Sequence, residues 1–307
     1  MNWQKCGHIF VPDQSMHSHA SVPIADHLHD NVFKIYFSVR DINNISYTWS
    51  LDYDIALNKI IEIGKEPILS PGMPGTFDDA GAMASCLMTH NGIKYLYYIG
   101  WNISKSVPFR NAIGLAIKKP DGQFEKYSQG PIIDRGIHDP VFTASSCVLY
   151  HENKFKMWYL SCIGWDMSDA PRHSYNIKYA ESVDAINWTR TGITAIDFKD
   201  EYEYAISTPR VIIEHGKYKM WYSYRASKEN STYRIGYAES SDGINFTRMD
   251  NSAGIDVSQE GWDSEMICYP YVFDHNDCRY MLYNGNSYGK TGFGLAKIPQ
   301  TSFKRIR

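Results

Sequence analysis

Phe155-Lys156-Met157-Trp158-Tyr159 returns almost unchanged as Tyr218-Lys219-Met220-Trp221-Tyr222. The same pattern is written more loosely at Phe33-Lys34-Ile35-Tyr36-Phe37, Lys94-Tyr95-Leu96-Tyr97-Tyr98 and Arg279-Tyr280-Met281-Leu282-Tyr283. Their central apolar residues, Ile35, Leu96, Met157, Met220 and Met281, stand 61, 61, 63 and 61 residues apart. Five such units fill the chain. Self-similarity at a fixed long period marks a repeat architecture, and it decides the fold before any single residue is read.

A second marker follows the first in four units: Ile113-Gly114-Leu115-Ala116, Ile177-Lys178-Tyr179-Ala180, Ile235-Gly236-Tyr237-Ala238 and Phe293-Gly294-Leu295-Ala296. The first unit blurs it near Tyr47 to Ser50. Units three and four continue with Asp184-Ala185-Ile186-Asn187 and Asp242-Gly243-Ile244-Asn245, each a hairpin between short strands. Each unit therefore predicts an inner strand, a Tyr/Trp-rich strand, a small-residue strand and an outer strand. The expected fold is all-β: one five-bladed β-propeller over residues 1–307, with four antiparallel strands per blade. A sandwich offers no reason for five equal units.

Composition agrees. Aromatic residues make up 14% of the 307 residues (23 Tyr, 13 Phe, 8 Trp), which suits strands and sugar-stacking surfaces. A net charge of −3 without Lys/Arg runs argues against nucleic acid or an anionic membrane as partner. The six cysteines are scattered and lack a CxxC pair, so they read as buried thiols in a reducing compartment. The opening segment lacks the apolar core of a secretion signal, and a cytoplasmic location is expected. His17-Ser18-His19 is too small a set to ligate a metal by itself, and no metal or cofactor is expected.

Eleven residues before the central markers lie Ser85, Ser146, Pro209 and Pro270, with Pro23 fitting unit one after one extra residue. These anchors are expected to ring the propeller axis. Six residues earlier, or immediately beside, stand His17, His19, Asp78, Asp79, Asp139, Glu203, Asp263 and Glu265. The expectation is a set of ionisable groups converging on one funnel mouth. Paired carboxylates there suit glycoside chemistry, one protonating the leaving oxygen while the other activates water or attacks the sugar.

The five-unit layout, the Trp-Tyr-rich second strands and the Tyr-Ala-Glu-Ser-x-Asp-Gly-Ile-Asn-Phe/Trp turns resemble the five-bladed propeller glycosidases of glycoside hydrolase families 32, 43 and 130. The resemblance covers essentially the whole chain and implies an Asp base or nucleophile, a second Asp and a Glu acid at the mouth. Asp139-Pro140-Val141-Phe142 resembles the family's Asp-Pro motif but falls several residues early. Glu203 lies in the unit that holds the acid in family 43, although Pro209 follows at six residues rather than two. On this basis Glu203 is the expected general acid, Asp79 the base or nucleophile, and Asp139 a further catalytic carboxylate. Asp78, Asp263, Glu265, Trp262, His17, His19, Arg40, Asp41 and Arg210 are expected to contact a small carbohydrate. Arg40-Asp41 resembles a sugar-binding pair of family 130, whose phosphorolysis is the first alternative to hydrolysis. A non-catalytic glycan-binding propeller is the second.

Overall fold

The structure is a computed structural model and describes residues 1–13, 18–168, 170–225 and 231–299. The chain opens with β1 (Gln4–Phe10) and then forms blade I from β2 (Ser18–His29), β3 (Val32–Arg40), β4 (Ser46–Asp54) and β5 (Lys59–Ile63). Blade II is β6 (Gly81–His90), β7 (Ile93–Ile103), β8 (Phe109–Lys118) and β9 (Phe124–Lys126). Blade III is β10 (Phe142–His151), β11 (Lys154–Asp166), β12 (Arg172–Ser182) and β13 (Thr189–Ile196). Blade IV is β14 (Ala205–Glu214), β15 (Lys217–Arg225), β16 (Tyr233–Ser240) and β17 (Thr247–Arg248). Blade V takes β18 (Cys268–His275), β19 (Cys278–Asn284) and β20 (Phe293–Pro299), and β1 supplies its outermost strand. The inner strands β2, β6, β10, β14 and β18 pack each on the next, and β18 packs back on β2. The ring is closed with five blades.

The repeated sequence now has a physical cause. A second strand is covered on both faces by neighbouring strands and blades, so it must be apolar at consecutive positions instead of alternating. Met157, Trp158 and Tyr159 are all fully buried, as are Met220, Trp221 and Tyr222. Side chains of this size each contribute about 1.5–3 kcal/mol when buried. The central markers pair across the blade with the alanines of the second marker: Leu96 with Ala116, Met157 with Ala180, Met220 with Ala238 and Met281 with Ala296. A large residue therefore faces a small one in four blades. Blade I sets Leu51 opposite Ile35, which explains why its second marker is blurred.

All five anchors, Pro23, Ser85, Ser146, Pro209 and Pro270, line one narrow channel along the axis, as the repeat arithmetic places them. At each anchor the inner strand breaks register with its partner, between Ser21 and Ile24, Ala84 and Cys86, Thr143 and Ser146, Ser207 and Arg210, and Cys268 and Tyr271. A bulge leaves backbone groups without a ladder partner. Here the preceding blade supplies one every time. Val22 N–H donates to Asn284 Oδ1 (2.9 Å), Ala84 N–H to Thr48 Oγ1 (2.8 Å), and Ser146 N–H to Ser85 Oγ (2.9 Å). Thr208 N–H donates to Ser145 Oγ (3.0 Å) and Tyr269 N–H to Ser223 Oγ (2.7 Å).

Asn284 closes this girdle between blades V and I. Its amide also donates to Ala20 O (2.6 Å) and Gly292 O (2.8 Å) in a fully buried position. Asn284→Ala leaves several buried groups unpaired, at about 1–3 kcal/mol each. The expected result is a loss of about 3 kcal/mol or more, read as a lower urea midpoint at unchanged slope. A shift under about 1 kcal/mol would show that the girdle does not carry the closure.

Candidate functional site

The mouth of the ring holds a cavity of about 420 Å³. Its wall is built from the bulged ends of the inner strands and the facing ends of the second and third strands. Blades II and III contribute Met83, Ile99, Trp101, Phe109, Phe142 and Leu160, with His173 and Tyr175 beside them. Blades IV, V and I contribute Arg225, Tyr233, Tyr269, Tyr288, Arg40 and Asn44. One side is therefore aromatic and aliphatic, the other tyrosine-rich and cationic. Among the described residues no carboxylate lines it.

Three bulge residues on this wall have backbones that non-glycine residues rarely adopt: Val22 (φ 53°), Thr208 (φ 50°) and Tyr269 (φ 55°). Strain of this kind costs of order 1–3 kcal/mol per residue and gathers where a fold is committed to a site. It is held here by the cross-blade bonds to Asn284, Ser145 and Ser223.

The expected acids lie elsewhere. Asp78, Asp139, Glu203 and Asp263 do recur at one topological position, and all are at most 3% exposed. Each is tied to a base on the outermost strand of its own blade: Asp78 to Lys126 (2.6 Å), Asp139 to Arg190 (2.7 Å), Glu203 to Arg248 (2.6 Å) and Asp263 to Lys5 (2.7 Å). A tyrosine of the second strand completes three of these clusters, with Tyr98, Tyr159 and Tyr283 each donating to the acid twenty residues earlier. In blade IV, Tyr222 bonds Asp250, which shares Arg248 with Glu203. The periodic acids staple the segment leading into each inner strand to the rim of its blade, and the structure does not gather them in one cavity.

Asp79 is half-buried and accepts from Gly75 N–H (2.8 Å), and Glu265 is exposed; neither lines the cavity. Asp41 folds the following turn by accepting from Asn43 and Ile45 N–H groups. Trp262 stacks on His8 inside blade V, 4.8 Å between ring centres. Arg210 lies in the axial channel below the mouth, its Nε on Val272 O (2.7 Å) and its guanidinium 4.1 Å from the Tyr271 ring centre. His17 lies outside the described residues. Of the expected contacts, Arg40 alone is on the cavity wall; His19 is near Arg40 and Lys290, whose charges, after burial, hold its pKa down at about 4. Among the described residues no group of three His, Cys, Asp or Glu side chains is placed to hold a metal ion. Likewise, no helix there is long and apolar enough to cross a membrane.

Sequence reasoning passed over Arg225, Phe109, His173, Tyr175, Tyr233, Tyr269 and Tyr288. A signal was available for three cavity positions, Arg40, Trp101 and Arg225. Five residues after the central markers stand Arg40, Trp101, Cys162, Arg225 and Asn286, and three of these reach the cavity.

No protein-family model matches the chain. A protein of Mycobacterium tuberculosis strain H37Rv, named "Uncharacterized protein Rv1502", is 39% identical over 303 residues, 97% of this chain and 99% of its own length. The solved structure of a glycoside hydrolase has a TM-score of 0.75 at 18% identity, covering 99% of this chain and 93% of that one. A glycosyl hydrolase from Bacteroides ovatus has a TM-score of 0.73 at 13% identity, covering 97% and 93%. At such identities the shared property is the fold. It is the propeller fold of the glycosidases related to families 32, 43 and 130.

Two outcomes follow from this geometry. Removing one partner of a buried ion pair costs about 3–5 kcal/mol, so Asp139→Ala is expected to lower the melting temperature by roughly 6–15 °C. Asp79→Asn, at a half-buried turn, is expected to move it by little; equal melting of the two variants would remove the staple assignment. The second concerns His173, whose pKa is lowered from 6.5 to about 4 by burial and by Arg225. Between those values the unfolded chain takes up a proton that the folded chain refuses, so stability falls as the pH drops from 6.5 to 4. His173→Phe is expected to remove up to roughly 3 kcal/mol of that fall in urea titrations at pH 7 and pH 4. Parallel pH dependences for the two proteins would contradict it.

Proposed function

The chain belongs to the family of the Mycobacterium tuberculosis protein, and on that premise we propose that its mouth cavity is a carbohydrate-binding site. The observation that carries this reading is the wall itself. Aromatic rings from several blades face one cavity of about 420 Å³, large enough for one or two sugar rings. Sugars present apolar C–H faces that stack on such rings, and hydroxyls that meet Asn44, Asn111, Ser145, Ser207 and Thr208 on the same wall. The glycosidase-type fold at the level of whole-chain superposition supports the same substrate class.

The sequence points to hydrolysis with Glu203 as general acid, Asp79 as base or nucleophile and Asp139 as a further carboxylate. A general acid must carry a proton to the leaving oxygen, and a base or nucleophile must reach the anomeric carbon or its water. Glu203 is held by both terminal nitrogens of Arg248 (2.6 and 2.7 Å), and Asp139 by Arg190, Lys178 and Tyr159. Geometry favours recognition without cleavage by these groups. Glycosyl transfer to or from phosphate is the second reading, favoured by Arg40 and Arg225 on the wall.

A nitrophenyl glycoside panel, run with and without inorganic phosphate alongside calorimetric sugar binding, separates the three. The expected outcome is binding without release of nitrophenol, and a drop of about tenfold in affinity for Trp101→Ala. Turnover that Glu203→Gln abolishes in folded protein would restore hydrolysis; turnover only with phosphate would establish the second reading.

A further inference from the structure

The repeat gives Arg40 and Arg225 the same place, the last residue of the second strand, in blades I and IV. These blades flank blade V, whose inner-strand Tyr269 shares the cavity wall with the two cations. The Tyr269 and Tyr233 rings are 5.9 Å apart, and the Arg225 guanidinium sits 5.4 Å from the Tyr233 ring and 5.7 Å from that of Tyr288.

Among the described residues neither arginine has a carboxylate partner. Arg40 reaches only Asn44 Oδ1 at 3.4 Å, and Arg225 donates to the Tyr288 hydroxyl at 2.8 Å. The Nε of each is buried and has no hydrogen-bond partner. Such orphans are rare, because a buried donor left unpaired is destabilising, and more so when it is charged. Lys290 adds a third positive charge, near enough to act, as Arg40 does, on His19. Three other arginines of low exposure, Arg190, Arg248 and Arg279, each hold one or more carboxylates, while Arg210 in the axial channel rests on a carbonyl and a tyrosine ring. The cavity wall carries two arginines without a carboxylate among the described residues, at one repeat position and on one side.

Resting on the reading of the cavity as a sugar site, we infer that its ligand is an anionic carbohydrate. Its carboxylate or phosphate group meets Arg40 and Arg225, while its sugar face lies toward Trp101 and Phe109. A guanidinium presents a planar fork of donors suited to either oxyanion, and the tyrosine faces around Arg225 hold that fork in place. Among the described residues the blade II and III side of the wall lacks lysine and arginine, so the ligand is bound in one orientation.

The test is calorimetric titration with glucose, glucuronate, glucose 6-phosphate and inorganic phosphate, at low and at physiological salt. Glucuronate, glucose 6-phosphate or both are expected to bind at least about tenfold more tightly than glucose, with the advantage shrinking as salt rises. Preference for glucuronate assigns a carboxylate; preference for glucose 6-phosphate, with competition by inorganic phosphate, assigns a phosphate. Arg40→Gln and Arg225→Gln are each expected to collapse the charged-to-neutral ratio toward one, and Arg225→Lys to recover part of it. Melting curves establish that each variant is folded. Glucose binding as tightly as both charged sugars would overturn this inference and leave the sugar site standing. No binding of any sugar would overturn the sugar site itself.

Discussion

Five strands converging on one axis must give up part of their own hydrogen-bonded ladders, and the molecule is organised around how that loss is made good. Each inner strand breaks register at its anchor, and the preceding blade offers a side-chain oxygen to the freed N–H. A second storey repeats the device with sulfur, where Val148 N–H meets Cys86 Sγ and Val211 N–H meets Cys147 Sγ, both at 3.3 Å. The bonds run in one direction around the ring, so no blade can be set independently of its neighbour. They also fix the positive-φ residues Val22, Thr208 and Tyr269, whose side chains form part of the mouth.

The buried acids complete the same scheme at a larger radius. In blades II to V an acid ahead of the inner strand reaches a base on the outermost strand, across the second strand's tyrosine in three of them. In blade V that base is Lys5, from the opposite end of the chain, so the staple also fastens β1 and with it the ring closure. Ion pairs this deep owe their persistence to complete pairing, since a lone buried carboxylate would be severely destabilising. The acids thereby carry structural load in the frame around the cavity.

The fold was legible because packing repeats: Met157 and Met220 meet Ala180 and Ala238 in equivalent registers, and the anchors fall on one axis. The same property misled the search for a site. Asp139 and Glu203 recur with blade period because the staple recurs, and a reading from period alone cannot tell a structural ring of acids from a functional one. The twenty-residue spacing from Asp78, Asp139 and Asp263 to Tyr98, Tyr159 and Tyr283 was present in the sequence as the trace of a local contact. β1 was not legible as the last strand of blade V, since Gln4–Phe10 carries neither repeat marker. Arg225 and Tyr269 were missed for the opposite reason: a ligand is asymmetric, so the residues that touch it differ between blades at equivalent positions.

That contrast gives a physical criterion for where chemistry sits in a repeat fold. Positions whose identity is repeated answer to the symmetry of the scaffold; positions whose geometry repeats while their identity does not answer to something the scaffold lacks. The fifth residue beyond each central marker is such a position: Arg40, Trp101, Cys162, Arg225 and Asn286. Cys162 and Asn286 are buried, and Asn286 braces the Glu265 and Met266 N–H groups. The other three face the cavity. A chain whose formal net charge is −3 thus directs two guanidinium groups, without carboxylate partners among the described residues, at one side of its mouth. There the low-dielectric aromatic wall lengthens the reach of their charge. The nearby histidines do not add to that field near neutral pH, because burial and the arginines themselves keep His19 and His173 uncharged. The positive potential at the mouth therefore comes from Arg40, Arg225 and Lys290, and not from these histidines.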